Sequence, residues 1–175
     1  MKILDLEFVP YISQTQIQVK VNELSARITV DFKDKDPLFI ILLNGAFLFA
    51  ADLVKEIATP CNLSFIKVAS YSGTESRGKV DKLIGLNEKI NNRNLIIIDD
   101  IIDTGLTMQG VIDELQKQNP ASISVASLLY KPDAFLGKFT PKYIGFEIPN
   151  DFVVGYGLDY NGYGRNLKEI LKIKE

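Results

Sequence analysis

Residues 38–43 read LFIILL, an unbroken aliphatic run closed by Asn44-Gly45. A strand with one face in water alternates apolar and polar residues. A run without alternation belongs to a strand covered on both faces, as in a parallel sheet. The pattern returns at residues 95–98, LIII, closed by Asp99-Asp100. Each run passes through a short turn into helical spacing, over about 47–57 after the first and about 106–118 after the second. Residues 63–69 and 122–129 read as further strands. Ile17, Val21, Leu24 and Ile28 place an amphipathic helix over about 15–30. Strand and helix in alternation predict an α/β fold on a mainly parallel sheet.

A chain of 175 residues suits one domain over 1–175, large enough for a core without staples. From Tyr143 onward the pattern changes to short apolar and aromatic pieces separated by Pro149-Asn150 and Gly157. We read residues 143–175 as a small appended region. Residues 70–83 are polar and glycine-containing with no buried face, and a loop of that length is either disordered or a functional lid.

Several chemistries are excluded by what is missing. No histidine occurs, which removes Ser-His and Cys-His nucleophile pairs and histidine-ligated zinc. Acid–base work must fall to carboxylates, lysine or tyrosine. Cys61 has no partner for a disulfide, so a reducing, cytoplasmic setting is expected. The opening MKILDLEFVP is interrupted by Asp5, Glu7 and Pro10, unlike a signal peptide. The longest apolar run is broken by Asn44, Gly45 and Asp52, short of the ~18–20 residues a membrane span needs. A net charge of −2 argues against a nucleic-acid partner.

The chemistry concentrates in NLIIIDDIIDTGLTMQG, residues 94–110. In open α/β sheets ligands bind at the carboxyl ends of strands. Asp99 and Asp100 stand at such an end, and carboxylates, being acceptors only, suit vicinal hydroxyls or a hard cation such as magnesium. Asp103, Thr104, Gly105, Leu106 and Thr107 then enter a helix, whose first amides and threonine hydroxyls make a phosphate cradle. Asn44 and Gly45 form a second strand-to-helix turn able to face an anion. Two plainer readings stand beside these: Asp103 or Thr104 as a helix cap, and Asp99-Asp100 as solvated strand-end residues. A receiver domain also carries paired aspartates after an apolar strand, but normally after the first strand, whereas here the pair lies past mid-chain.

LIIIDDIIDTGLTM resembles the phosphoribosyl-pyrophosphate signature of the type I phosphoribosyltransferases, in wording nearest the hypoxanthine-guanine branch. ILLNGAFLFAADL is similar to that branch's pyrophosphate loop and following helix, and ASYSG to the opening of its mobile loop. LLYK and GFEIPNDFVVGYGLDYNGYGRNL resemble its purine-binding and C-terminal segments. The resemblance runs from about Leu38 onward. It implies a parallel sheet flanked by helices, a small hood formed by the termini, and a flexible lid.

The resemblance further implies a magnesium-dependent purine-salvage enzyme. It would transfer 5-phosphoribosyl from phosphoribosyl pyrophosphate to hypoxanthine, and also guanine, giving IMP or GMP. By that carry-over Asp99 and Asp100 hold the ribose hydroxyls, while residues 103–107 bind the 5-phosphate and Asp103 is the general base. Asn44, Gly45 and Arg165 take the pyrophosphate. Lys131 donates to the oxygen at purine position 6, Phe152 stacks on the base and Val153 reads its edge. Ser70 and Tyr71 belong to the lid. Asp159, with Asp99 and Asp100 as further candidates, neighbours magnesium. The family usually has Glu-Asp where this chain has Asp99-Asp100, and often lysine or arginine in place of Asn44. Dimers or tetramers are implied. The alternatives are a phosphoribosyltransferase for xanthine or adenine, and a non-catalytic, nucleotide-sensing RNA-binding regulator.

Overall fold

The computed structural model describes residues 1–69 and 82–174. The chain opens with strands β1 (Lys2–Ile3) and β2 (Leu6–Ile12), followed by helix α1 (Gln14–Asp31). Ser13 caps α1 reciprocally with Gln16, each side chain accepting from the other's backbone amide. Next come β3 (Leu38–Leu43), α2 (Phe47–Lys55), β4 (Asn62–Ala69), β5 (Lys82–Ile84) and β6 (Asn94–Ile102). Helix α3 (Leu106–Gln116), β7 (Ser122–Tyr130), β8 (Tyr143–Glu147), β9 (Val153–Val154) and β10 (Ile170–Ile173) complete the order.

The main sheet has the order β5-β4-β3-β6-β7-β8, parallel throughout except for β5 at one edge. Both unbroken aliphatic runs are central strands, as their composition requires. Phe39, Ile41, Ile96 and Ile98 pack with α1 and α2 on one face. Leu38, Ile40, Leu95 and Ile97 pack with α3 on the other. The chain leaves β3 through α2 to reach β4 on one side, and leaves β6 through α3 to reach β7 on the opposite side. Between β3 and β6 the winding therefore reverses, and such a switch point opens a crevice at the strands' carboxyl ends.

A second, antiparallel sheet of order β1-β2-β10-β9 joins the two ends of the described chain, with its own small core of Ile3, Phe8, Val154 and Leu171. This is the hood that the resemblance implied. No helix among the described residues is long and apolar enough to cross a membrane.

Three boundaries differ from the sequence reading. Strand β6 continues past Ile98 to Ile102, because Asp99, Ile101 and Ile102 stay paired with Ser127, Leu129 and Tyr130 of β7. The appended region does not begin at Tyr143. That residue opens β8, a main-sheet strand parallel to β7, and its buried ring donates its hydroxyl to Asp31 at the end of α1. The last two residues of the expected loop, Lys82 and Leu83, belong to β5, held antiparallel on β4.

Candidate active site

Strand β3 is paired with β6 only as far as Ile41 opposite Ile98. Asp99 and Asp100 follow directly, so β6 presents them where its neighbour on that side has peeled away. Both are half-buried. Burial, and then the charge of Asp100, hold the Asp99 carboxyl well above the usual carboxylate range. Burial also raises Asp100, against a bond with Asp99, backbone amides and the charge of Arg165. The backbone amide of Asp100 donates to Asp99 Oδ1 at 3.1 Å. Two acids crowded and under-solvated in this way favour hydroxyl donors or a hard cation.

The β3–α2 turn lies against them. The Leu43–Asn44 peptide is cis, and a Cβ on Gly45 would collide with the Asp100 carboxylate. The carbonyl of Gly45 in turn fills the space a side chain at Gly157 would need. Gly157 accepts from Arg165 Nη1 at 2.7 Å, and Arg165 Nη2 lies 2.6 Å from Asp159 Oδ1. Asp159 Oδ2 accepts from the Gly162 amide at 2.7 Å. Gly45, Asp100, Gly157 and Arg165 are thus one neighbourhood, with Asp159 tied to it through Arg165. Asn44 is exposed beside it.

Beyond Asp100, residues 103–107 wrap a small cleft of about 100 Å³, lined also by Asp99 and Ile102. Thr104 and Thr107 are exposed. The cap of α3 is Gly105, at φ +73°, with no side-chain cap bond, so neither Asp103 nor Thr104 is the N-cap. The left-handed conformation and the Phe135 ring packed over its α-carbon both call for glycine at 105. Leu136 donates its amide to the Thr104 carbonyl at 2.8 Å, bracing the turn from behind. Leu106 opens the helix, whose first amides have no intrahelical acceptor.

The end of β7 closes the other side. The Lys131 amide donates to the Ile102 carbonyl at 2.9 Å, stitching the two strand ends together. Its ammonium reaches Asp103 Oδ2 at 2.9 Å and Asn150 Oδ1 at 3.3 Å. The lysine side chain is 8% exposed and that of Asp103 49%, so a buried cation meets a carboxylate open to the crevice. Phe152 stands 43% exposed at the hood's edge, supported edge-on by Tyr160 at 5.8 Å and by Phe8 at 6.2 Å. Val153 is buried in β9 opposite Lys172, and the Phe152 carbonyl accepts from Ile173 at 3.0 Å.

The end of β6, the turn after β3, the end of β7 and the loop of residues 157–165 thus bring Gly45, Asp99, Asp100, residues 103–107, Lys131, Asp159 and Arg165 around one strand end, while Phe152 and Val153 pack within the hood. Ser70 and Tyr71 lie outside the described residues. Sequence reasoning did not find Asn150 beside Lys131, nor the glycine-to-glycine contact of residues 45 and 157. The only trace of the latter was the run of glycines around residue 157. Among the described residues no group of three or more carboxylates or thiols gathers to hold a metal.

Comparison with known proteins identifies the family. A phosphoribosyl transferase domain model matches residues 13–161. The hypoxanthine-guanine phosphoribosyltransferase of Staphylococcus epidermidis is 41% identical over 164 residues, covering 93% of this chain and 92% of that protein. That of Bacillus subtilis is likewise 41% identical over 164 residues, covering 93% and 91%. The crystal structure of a hypoxanthine phosphoribosyltransferase from Staphylococcus aureus superposes with a TM-score of 0.88 at 36% identity, covering 97% of this chain and 92% of that one. On sequence and on fold alike, the chain belongs to the hypoxanthine-guanine phosphoribosyltransferase family.

Proposed function

We propose that this enzyme transfers the 5-phosphoribosyl group of phosphoribosyl pyrophosphate to hypoxanthine and guanine, releasing pyrophosphate, as a purine-salvage activity. The observation that carries the reading is the Lys131–Asp103 pair beside the cleft of residues 103–107. It sets a donor and an acceptor next to each other. A 6-oxopurine carries its 6-oxygen and its imidazole nitrogen next to each other on one edge. Lys131 donates to that oxygen, and Asp103 accepts the proton from the nitrogen as the glycosidic bond forms. A 6-amino group cannot accept from an ammonium, so adenine forfeits the contact that a 6-oxygen makes with Lys131.

The remaining residues orient the donor. Asp99 and Asp100 accept from the ribose hydroxyls. The Thr104 and Thr107 hydroxyls and the first amides of α3 hold the 5-phosphate. Gly45 and Arg165 face the diphosphate, where the planar guanidinium suits phosphate oxygens. Phe152 stacks on the base, with Val153 fixing its edge. Closure over the site of the segment between β4 and β5, the lid that the resemblance implies, excludes water.

The donor set fits magnesium in part. It offers hard oxygens at Asp99, Asp100 and Asp159, and the rest of an octahedral shell falls to water and the diphosphate. When bound, the ion neutralises the departing diphosphate. We read residues 1–175 as one catalytic unit working in the cytoplasm as a homodimer or tetramer, as the family membership supports.

Steady-state assays with phosphoribosyl pyrophosphate and magnesium, offering hypoxanthine, guanine, xanthine and adenine in turn, test the proposal. Turnover of the first two is expected, and chelation of magnesium should abolish it. Absence of turnover with every base, together with salt-dependent RNA binding, would favour a non-catalytic regulator instead.

A further inference from the structure

Asp52, on the second turn of α2, takes no part in the reading above, yet it reaches across to the hood. Its Oδ2 accepts from the hydroxyl of Tyr156 at 2.6 Å, while its Oδ1 meets Lys55 Nζ at 2.7 Å. Tyr156 is 5% exposed. Burial, and then the bond to Asp52, push its hydroxyl above the ordinary tyrosine range, so the phenol remains a donor at any working pH. The residue has φ +49°, between Gly155 at +107° and Gly157 at +104°. A left-handed conformation at a bulky residue is strained and is kept only where the surroundings demand it. Here the side chain is held by the bond to Asp52 and the backbone by the Tyr156 amide, which donates to the Leu167 carbonyl at 2.9 Å.

Both ends of this bond lead to the same place. On the body side, Asp52 belongs to the helix that begins immediately after Gly45 and Ala46. On the hood side, the residue after Tyr156 is Gly157. Its backbone packs on the Gly45 carbonyl, donates to the Arg165 carbonyl at 2.9 Å and accepts from the Arg165 guanidinium at 2.7 Å. One hydrogen bond thus ties the helix that carries the β3–α2 turn to the loop that aims Arg165. The charge of Arg165 acts on Asp100, which rests on that same turn.

We infer that Asp52 and Tyr156 are positioning residues, a peg that holds Gly45 and Arg165 at the separation a diphosphate requires. The inference rests on the reading that these two groups face the diphosphate. Neither residue is among those assigned to the substrates above. Their effect passes through the backbone of residues 155–157 and the axis of α2. Loss of the peg should therefore weaken the diphosphate subsite and leave the base subsite, built on Lys131 and Phe152, as it was.

The test measures binding of inorganic pyrophosphate with magnesium by calorimetry, the KM for phosphoribosyl pyrophosphate and for hypoxanthine, and the melting temperature. Tyr156→Phe removes the bond and keeps the ring. Asp52→Ala removes the acceptor, and Asp52→Asn retains one. In Tyr156→Phe and Asp52→Ala, pyrophosphate affinity should fall by about tenfold, the scale of one hydrogen bond to a charged group. The KM for phosphoribosyl pyrophosphate should rise in parallel, and that for hypoxanthine should hold. Asp52→Asn should recover most of the loss. Lower melting temperatures with pyrophosphate affinity at the wild-type level would overturn the inference and leave the peg a purely structural bond. Arg165→Ala separates the underlying reading. If that variant binds pyrophosphate as wild type does, the diphosphate subsite itself lies elsewhere.

Discussion

The carboxylate of Asp100 occupies the space that a side chain at residue 45 would need. Gly45 lies in the turn after β3 and Asp100 within β6, and their contact makes that turn and the acids of β6 a single surface. Gly45→Ala should therefore push Asp100 out of place. A misplacement of that kind costs on the order of 10²-fold in kcat/KM for phosphoribosyl pyrophosphate. The melting temperature should change little, because a half-buried carboxylate at the crevice has room to rotate. Kinetics and thermal melts on one preparation check both halves.

Lys131 is buried with Asp103 and Asn150 as acceptors. Lys131→Met keeps the length and apolar packing of the side chain but removes the donor. The kcat/KM for hypoxanthine should drop by about 10- to 100-fold, the range for a hydrogen bond from a charged group. Discrimination against adenine should shrink with it. Competition assays with both bases read the ratio directly, and an unchanged ratio would remove Lys131 from base selection.

Asp103→Asn leaves Lys131 a weaker acceptor and takes away the proton acceptor. Loss of a general base lowers kcat by about 10²- to 10⁴-fold. Binding of phosphoribosyl pyrophosphate should change far less, since the amides and threonines of the cradle remain. Single-turnover rates and donor affinity, measured separately, distinguish the two effects. Equal turnover in the variant would remove the assignment.

Asp99 offers a prediction in pH. Its folded-state pKa is raised above the ordinary value of 3.8, by burial and by the charge of Asp100. A raised pKa means that the folded chain holds the proton where the unfolded chain has released it. The stability this contributes is fully present below the unfolded pKa and is lost as pH rises through the folded one. At neutral pH, where the unfolded chain has ionised this group freely, keeping Asp99 beside Asp100 therefore weakens the ligand-free fold. Asp99→Asn should melt at a higher temperature than wild type at pH 7, and the gap should close toward pH 4. Activity should fall, as expected where stability is given up for a binding site. Melts across that pH range decide the sign.

Much of this molecule is written locally. The runs at residues 38–43 and 95–98 are aliphatic on every position, which marks strands covered on both faces whatever covers them. Helical spacing likewise sets α1, α2 and α3 to within a few residues, because periodicity reports which face is buried. The string from Asp99 to Thr107 is also local. Strand, turn and helix follow within a few residues, so the sequence by itself determined that acids, hydroxyls and helix-start amides gather where one strand passes into one helix.

What covers each face is a different matter, and only the tertiary structure decided it. Strand β6 runs to Ile102 because β7 continues to pair with it, a fact carried by backbone bonds that no side chain announces. Tyr143 joins the main sheet because its ring finds α1 and its hydroxyl finds Asp31, 112 residues away. Lys131 meets Asp103 across 28 residues, and Tyr156 meets Asp52 across 104. Apolar spacing states that a residue is buried, but not against whom. The partners are chosen when the sheet's winding reverses between β3 and β6 and the two ends of the chain fold over the opening that reversal leaves.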